Sequence, residues 1–158
     1  MSEKQEKENV GKVQEVTSRL TLTWQKDLAF AVSFDVPTIA PLRADELPPQ
    51  GGGVGVNATR LLGAAVGDCL SSSLAFCLSR SKIELKTMKT EVEIKNVRNE
   101  TGRLRVNRIK VDLYPELKSS EDTTKSERCQ EIFQDYCIVT ESVRKGIPVE
   151  VNIKMPKK

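Results

Sequence analysis

Histidine is missing from this sequence of 158 residues, and its absence excludes several kinds of active site. Catalytic triads and Cys-His proteases depend on an imidazole that moves protons near neutral pH, and histidine is also the commonest metal ligand. The four cysteines form no C-x-x-C pair, so the usual zinc-ribbon and thioredoxin spacings are missing as well. Catalysis by this chain would therefore have to use other groups, among which the cysteines are the most reactive.

Aromatic residues make up only 4% of the chain, and the formal net charge is only +3 at pH 7. Both values argue against a nucleic-acid partner, which would need a basic surface or stacking rings. There is no run of about 18 apolar residues, so the sequence predicts no membrane partner. The charged amino terminus lacks the apolar stretch of a signal peptide. We therefore expect a cytoplasmic protein with a disordered tail over 1–10 and one domain over 11–158.

Alternation of apolar and polar residues predicts the strands. Segments 12–24 and 28–36 alternate and are separated by three polar residues, which is typical of a hairpin. Segments 86–97 and 103–117 alternate on either side of the turn sequence RNETG and predict a second hairpin. A last alternating segment, 147–155, predicts a strand close to the carboxyl end.

Longer periodicity and capping residues predict the helices. The stretch 37–57, rich in Pro and Gly, reads as a long loop, and Asn57 is suited to cap an apolar central helix over 58–81. Segment 119–137 has the pattern of an amphipathic helix, and a short helical turn closed by Gly146 follows it. The predicted fold class is therefore α+β, in the order β-β-α-β-β-α-β with a long central helix.

The spacing of the four cysteines limits which disulfides can form. Cys69 and Cys77 are eight residues apart on one predicted helix, a rise of about 12 Å, whereas bridged Cα atoms lie within about 7 Å. The same argument excludes a bridge between Cys129 and Cys137 if their helix is continuous. Any bridge therefore joins the two helices. Antiparallel helices would pair Cys69 with Cys137 and Cys77 with Cys129, and which of these bridges form stays open.

The segments that carry these features resemble one known family. GVNATRLLGAAVGDCL (55–70) is similar to G-x-N/S-P-x-x-L-L-x-A-A-x-x-x-C, a pattern of the OsmC/Ohr family, the thiol peroxidases named for osmotically inducible and organic-hydroperoxide-resistance proteins. CIVTESVRKGIPVEV (137–151) resembles the second pattern of that family, C-P-V-S-x-S-L-x-G-x-P-V. LRADELPPQGGG (42–53) resembles its acidic loop, which is rich in Pro and Gly. In element order the resemblance covers residues 15–155.

The resemblance implies an OsmC-like fold, an intertwined homodimer with active sites near its interface, and a mechanism without a cofactor. Cys69 would be the peroxidatic cysteine, whose thiolate attacks an organic hydroperoxide or hydrogen peroxide and becomes a sulfenic acid. Cys137 would resolve this acid as a disulfide, and a dithiol reductant of the lipoyl type would restore the thiols. The apolar helix face with Leu62, Val66 and Phe76 favours an organic peroxide.

Activation of Cys69 is where the chain departs from the family pattern. The family uses an Arg oriented by a Glu, but Thr59 stands at the Glu position and Ala58 at the preceding Pro. The loop offers Arg43 as the cation and Glu46 as a replacement carboxylate. Two further arginines keep the choice of cation open, Arg19 and Arg60.

A second class of function has support from the same departure. Without the Arg–Glu pair, the fold would suit a redox sensor or a dimer that binds a small molecule, and a sulfur-transfer protein with a persulfide on Cys69 is a third hypothesis. In these cases Cys69 and Cys137 could be no more than small buried side chains. We expect Cys77 and Cys129 to be core residues rather than catalytic ones.

Overall fold

The computed structural model describes residues 15–119 and 122–155, so the predicted tail over 1–10 lies outside the described residues. The chain divides into two compact units, with the boundary between Asn57 and Ala58. The expectation of one domain over 11–158 stays a prediction.

The amino-terminal unit contains an antiparallel sheet in the order β1-β2-β3. The predicted hairpin is confirmed as β1 (Leu20–Lys26) and β2 (Ala29–Phe34), joined by a turn in which Asp27 has a positive φ of 48°. The third strand, β3 (Leu42–Ala44), lies inside the stretch predicted as loop. Three residues are too few for an alternating pattern to show, so the sequence did not indicate this strand.

The loop after β3 is organised by one buried carboxylate. Asp45 is only 4% exposed, and its Oδ2 accepts hydrogen bonds from the backbone N–H groups of Gly52 at 3.0 Å and Val54 at 3.1 Å. A parallel bridge joins Ala44 to Val56 beyond it. Because one carboxylate oxygen holds two backbone donors of the loop, the segment rich in Pro and Gly has a defined course.

The carboxyl-terminal unit is built on a long helix and a long hairpin. Helix α1 (Ala58–Arg80) begins directly after Asn57, as predicted. Strands β4 (Leu85–Arg98) and β5 (Leu104–Leu117) pair antiparallel along their whole length, which confirms the second predicted hairpin.

Glycines bring α1 close to the hairpin. A Cβ atom on Gly67 would come within 2.7 Å of Val92 Cγ2, and one on Gly63 would collide with Ile94. The helix therefore approaches β4 more closely than any other residue at these positions would allow. Its buried side chains form the core together with residues from the turn after α1 and from the helical segments that follow the hairpin: Val66, Leu70, Leu74, Leu78, Ile83, Cys129, Phe133 and Cys137.

The predicted helix over 119–137 is interrupted in the structure. Helix α2 (Asp122–Ile132) tightens into a 3-10 helix (Phe133–Tyr136), and a new helix, α3 (Ile138–Lys145), follows. Cys137 between them is extended, with φ −82° and ψ 98°, so the helix cannot continue through it. Helix α3 ends at Gly146, whose φ of 75° suits glycine.

The predicted strand over 147–155 is wrong for this chain, because residues 146–155 form neither a helix nor a strand. A strand needs a neighbouring backbone, and no described residue pairs with this segment. The α+β class is confirmed, and the observed order is β-β-β-α-β-β-α-α with the 3-10 helix before the last α-helix.

By length and composition alone, α1 would be able to cross a membrane. Core helices of soluble proteins meet the same criterion, and the buried side chains of α1 belong to the core of its unit. The expected lack of a membrane partner stays a prediction.

Candidate active site

The structure brings Cys69 and Cys137 together. Cys69 lies in the middle of α1 and is partly exposed, whereas Cys137, just before α3, is 0% exposed. Both are free thiols, and each affects the pKa of the other. The cysteine spacing had left a pairing of Cys69 with Cys137 open, and in the structure both residues belong to the carboxyl-terminal unit.

Both sulfur atoms lie at the amino end of α3. Cys137 is the N-cap of this helix, and its Sγ accepts a hydrogen bond from the backbone N–H of Thr140 at 3.4 Å. The backbone groups of Ile138 and Val139 lower the pKa of Cys69. The first N–H groups of a helix have no partner within it and carry the positive end of its dipole. Helix α3 therefore offers several donors to negative charge on either sulfur.

The two thiols differ in acidity. Burial disfavours the Cys137 thiolate, but hydrogen bonds from Cys69, from Thr140 and from Ser73 outweigh it and hold the pKa of Cys137 below its ordinary value. Burial and the hydrogen bond with Cys137 raise the pKa of Cys69, against the lowering effect of the α3 backbone. When the pair loses one proton, the negative charge is therefore favoured on Cys137 over Cys69.

Sequence reasoning missed the roles of Ser73 and Thr140. The side chains of Thr140 and Cys137 are joined by a hydrogen bond with Oγ1 3.0 Å from Sγ, in which the thiol donates and, once the sulfur is ionised, the hydroxyl can turn to donate. Two signals were available. Ser73 follows Cys69 by one helical turn, and Thr140 occupies the Ser position of the C-P-V-S pattern.

A disulfide joins α1 to α2, eight residues beyond Cys69 along α1. Cys77 on α1 and Cys129 on α2 are bridged, with 5.7 Å between their Cα atoms. Cys129 is buried, and its sulfur lies 3.4 Å from Ser81 Oγ. This bridge anchors α2 to α1, and the chain reaches Cys137 directly after α2 and the 3-10 helix.

A cavity of about 470 Å³ is lined in part by Thr140, the hydrogen-bond partner of Cys137. Its apolar walls come from α1, β5, the 3-10 helix and α3: Leu62, Val66, Leu70, Val106, Ile109, Val111, Leu113, Phe133 and Val143. The polar residues that line it are Asn107, Arg108, Gln134, Thr140 and Arg144. Two of the three residues expected to form an apolar face belong to this lining, while Phe76 is exposed elsewhere.

The two remaining site candidates lie in the amino-terminal unit. Arg43 is an exposed residue of β3, and Glu46, in the following loop, lies 3.5 Å from Asn57 Nδ2, which donates to its carboxylate. Their action on Cys69 stays a prediction, as does the choice of cation. Within 15–119 and 122–155, no group of three or more His, Cys, Asp or Glu side chains could hold a metal ion.

The sequence of this chain matches one known protein family. The sequence model described as OsmC-like protein matches residues 50–152, a segment that contains both cysteines of the pair. The chain belongs to the OsmC family. Arg43 and Glu46 lie before the segment that matches this family. No curated protein matches the chain in sequence.

Solved OsmC-family structures share the fold at low sequence identity. An OsmC-like protein of unknown function from Vibrio cholerae has a TM-score of 0.71 at 12% sequence identity. The match covers 81% of this chain and 94% of the Vibrio chain. An OsmC-like protein from Mycoplasma pneumoniae has a TM-score of 0.69 at 12% identity over 83% of this chain and 89% of its own. The organic hydroperoxide resistance protein OhrB of Bacillus subtilis has a TM-score of 0.56 at 19% sequence identity. The match covers 82% of this chain and 91% of the Bacillus chain.

Proposed function

We propose that this protein is a cysteine-based peroxidase that reduces organic hydroperoxides, and hydrogen peroxide as a second substrate. The observation that carries the proposal is the contact of two free thiols, Cys69 and Cys137, at the amino end of α3. Two neighbouring free thiols can be oxidised and resolved within one molecule, as a peroxidase cycle requires.

Cys69 and Cys137 carry out the two steps that reduce the peroxide and close the disulfide. The Cys69 thiolate attacks one peroxide oxygen, the S–O bond forms as the O–O bond breaks, and the alkoxide takes a proton and leaves as alcohol. Cys69 is then a sulfenic acid, and the peroxide has been reduced. The Cys137 sulfur attacks the Cys69 sulfur, hydroxide leaves as water, and a disulfide closes. A dithiol reductant of the lipoyl type returns both thiols and is itself oxidised to a disulfide.

The surroundings of the pair favour an organic peroxide. The cavity beside Thr140 is mostly apolar, so an alkyl or aryl group would be buried there while the peroxide group reaches polar side chains. Several solved structures with this fold carry the name organic hydroperoxide resistance protein, among them that of Bacillus subtilis. An antioxidant role in the cytoplasm is part of the proposal.

A homodimer belongs to the proposal. In β1 the alternate side chains Leu20, Leu22 and Trp24 are exposed, and residues 147–155 expose a second alternating apolar row. Soluble monomers rarely expose contiguous apolar surface of this kind, whereas an interface between copies would bury it. Strand β1 also lies at the edge of its sheet, and an edge strand suits pairing with a second copy.

The test is peroxide consumption with a dithiol reductant, with cumene hydroperoxide compared with hydrogen peroxide. We expect turnover by the wild type, faster with the organic peroxide, and none by Cys69→Ser. Cys137→Ser should form a sulfenic acid on Cys69 and then stall. A wild type no faster than Cys69→Ser would reject the peroxidase.

Thr59 supports a second candidate, an OsmC-like redox sensor. The family Glu that would orient an activating Arg is replaced, and the pKa of Cys69 is raised. A sensor would be oxidised once per peroxide pulse and would not be recycled by a dithiol in the same assay. Single oxidation of the wild type without turnover would favour this candidate over the enzyme.

A further inference from the structure

We propose that the Cys77–Cys129 disulfide is a second redox-active site, which a dithiol opens by attack on Cys77 and whose opening uncovers Cys137. The inference goes beyond the proposed peroxidase, because the bridge takes no part in that cycle. A disulfide in a reducing cytoplasm, the compartment proposed above, is more often transient and catalytic or redox-sensing than permanent.

Exposure decides which end of the bridge a reductant can attack. Cys129 is 1% exposed and belongs to the core, whereas Cys77 is only partly buried against that core. Thiol–disulfide exchange requires a thiolate to reach one of the two sulfur atoms. A dithiol from solvent therefore meets the bridge at Cys77, and Cys129 is the leaving group.

A hydroxyl group is placed to stabilise that leaving group. Ser81 follows Cys77 by one helical turn, and its backbone N–H donates to the Cys77 carbonyl oxygen at 3.0 Å. Its Oγ lies 3.4 Å from the Cys129 sulfur. A thiolate accepts a stronger hydrogen bond than a disulfide sulfur, so this contact strengthens as the S–S bond breaks. Because a thiol with a lower pKa leaves faster, the hydroxyl favours cleavage in this direction.

Helix α2 has little besides the bridge to hold it against α1. Of its residues Asp122–Ile132, two are buried, Ser126 and Cys129. The Ser126 hydroxyl donates to the Thr123 carbonyl oxygen at 2.6 Å, so its hydrogen bond stays within α2. An open bridge therefore leaves α2 anchored by very few buried side chains. Segments of this kind open locally at a free energy well below that of global unfolding.

Release of α2 reaches the buried thiol of Cys137. Cys137 is 0% exposed, and it follows α2 directly after the 3-10 helix Phe133–Tyr136. Phe133 is the buried side chain that still holds this stretch when Cys129 is released. Because Cys129 stands only eight residues before Cys137, opening of α2 extends to the cap of α3 and admits reagents from solvent.

The exchange balances without any further oxidant. One thiolate of the dithiol attacks the Cys77 sulfur, the S–S bond breaks, and Cys129 leaves as a thiolate that takes a proton from solvent. The second thiol of the reductant loses its proton and attacks its own mixed disulfide, which releases the Cys77 thiolate to be protonated. One dithiol and one protein disulfide become one cyclic disulfide and two protein thiols. The reverse exchange closes the bridge, so access to Cys137 follows the ratio of dithiol to disulfide.

The first test is the rate at which dithiothreitol opens the bridge in the folded protein. Rapid alkylation followed by peptide mass mapping gives the fraction of open Cys77–Cys129 bridges at each time. Opening by attack on the folded protein should depend little on urea at low concentrations. A rate that rises with the full urea dependence of global unfolding would overturn the proposal, since a purely structural bridge is reduced only in unfolded molecules.

The same assay examines the leaving group. Ser81→Ala removes the hydroxyl, so dithiothreitol should open the bridge about threefold more slowly, the change expected for a leaving thiol whose pKa rises by about one unit. Ser79→Ala, at an exposed position of α1, is the matched control and should leave the rate unchanged. Equal rates in wild type and Ser81→Ala would contradict attack at Cys77 with Cys129 as the leaving group.

The second test is alkylation of Cys137 by iodoacetamide, measured by peptide mass mapping. We expect Cys137 to react at least about tenfold faster in the Cys77→Ser/Cys129→Ser double variant, and in the reduced wild type, than in the bridged wild type. Bridged wild type in enough urea to match the stability of the double variant is the control for general destabilisation. Equal rates in the double variant and the bridged wild type would overturn the proposal, and so would an equal acceleration in the control.

Neither test uses peroxide, so the bridge and the peroxidase are judged separately. If the wild type fails to turn over peroxide but dithiothreitol opens the folded protein and uncovers Cys137, the peroxidase is rejected and the redox-active bridge stands. If peroxide is turned over but the bridge opens only on global unfolding, the peroxidase stands and the bridge is purely structural.

Discussion

At the scale of single residues, small residues affect both the charge of Cys137 and the packing of α1 on β4. The hydroxyls of Ser73 and Thr140 bear on the charge of Cys137, and the missing Cβ of Gly67 sets how closely α1 approaches β4. Both effects belong to positions within or next to the cysteine motifs. A change of one or two atoms there alters chemistry or packing without changing the fold.

Gly67→Ala should destabilise the protein. Alanine favours a helix interior by about 1 kcal/mol over glycine, but its Cβ would lie 2.7 Å from Val92 Cγ2, and overpacking of this kind costs about 1–3 kcal/mol. Because the valine side chain is stiff, we expect the packing cost to win. Urea unfolding of the variant checks this.

The Val92→Ala background provides the control for that substitution. With the valine methyl groups removed, Gly67→Ala should raise the free energy of unfolding, since only its helix propensity remains. Stabilisation of the otherwise wild-type chain by Gly67→Ala would show that the helix can shift away from β4 at little cost.

At the scale of elements, local patterns identified the parts whose contacts are near in sequence. The β4–β5 hairpin and α1 follow from alternation and apolar content over at least a dozen residues each. The break before α3 is different, because the amphipathic pattern continues through Phe133 and Tyr136 while the backbone turns at Cys137. Periodicity reports which face is apolar, and it does not report where a helix ends without a Gly or Pro signal.

The same break explains how much of the candidate site was predictable. Helical spacing correctly indicated that a bridge must cross between helices, and the Cys77–Cys129 disulfide does so. The donors at the amino end of α3 could not be foreseen, because Cys137 was placed at the end of the helix over 119–137 and not at the cap of the helix that follows it. Arg43 and Glu46 were predicted on a different ground, to supply the Arg–Glu pair of the family pattern in a chain that has Thr59 at the Glu position.

Loss of the Cys77–Cys129 disulfide should lower stability substantially. The bridge spans a sequence separation of 52 residues, for which the chain-entropy relation gives about 4 kcal/mol. We expect the Cys77→Ser/Cys129→Ser double variant to unfold at clearly lower urea concentration than the oxidised wild type. The reduced wild type should resemble the double variant, and equal midpoints for all three would contradict an entropic role for the bridge.

At the scale of the whole molecule, the proposed homodimer depends on the exposed apolar row over residues 147–155. Val149 and Val151 are each 80% exposed, and they alternate with polar residues. Val151→Lys should therefore shift the molecule from dimer to monomer, because a lysine cannot be buried in an apolar interface without a partner. Light scattering after size exclusion would show the mass falling toward the 17.6 kDa of one chain.

Asn152→Lys is the matched control for this experiment. It introduces the same charge into the same segment on the opposite side of the alternation, so the dimer should persist. A dimer that survives both substitutions would place the interface elsewhere, and a wild-type protein with the mass of one chain would reject the homodimer.

The disulfide beside the thiol pair has an analytical consequence. Of the four cysteines, two are already committed to a bridge and two are free. Under the proposed cycle, a molecule with this bridge closed, unfolded without reductant, would present either both free thiols or none, and a molecule with one would carry an overoxidised or trapped Cys69. Alkylation followed by intact-mass measurement would therefore sort a population extracted from cells into resting, oxidised and inactivated molecules. The protein would act as a record of its own peroxide exposure.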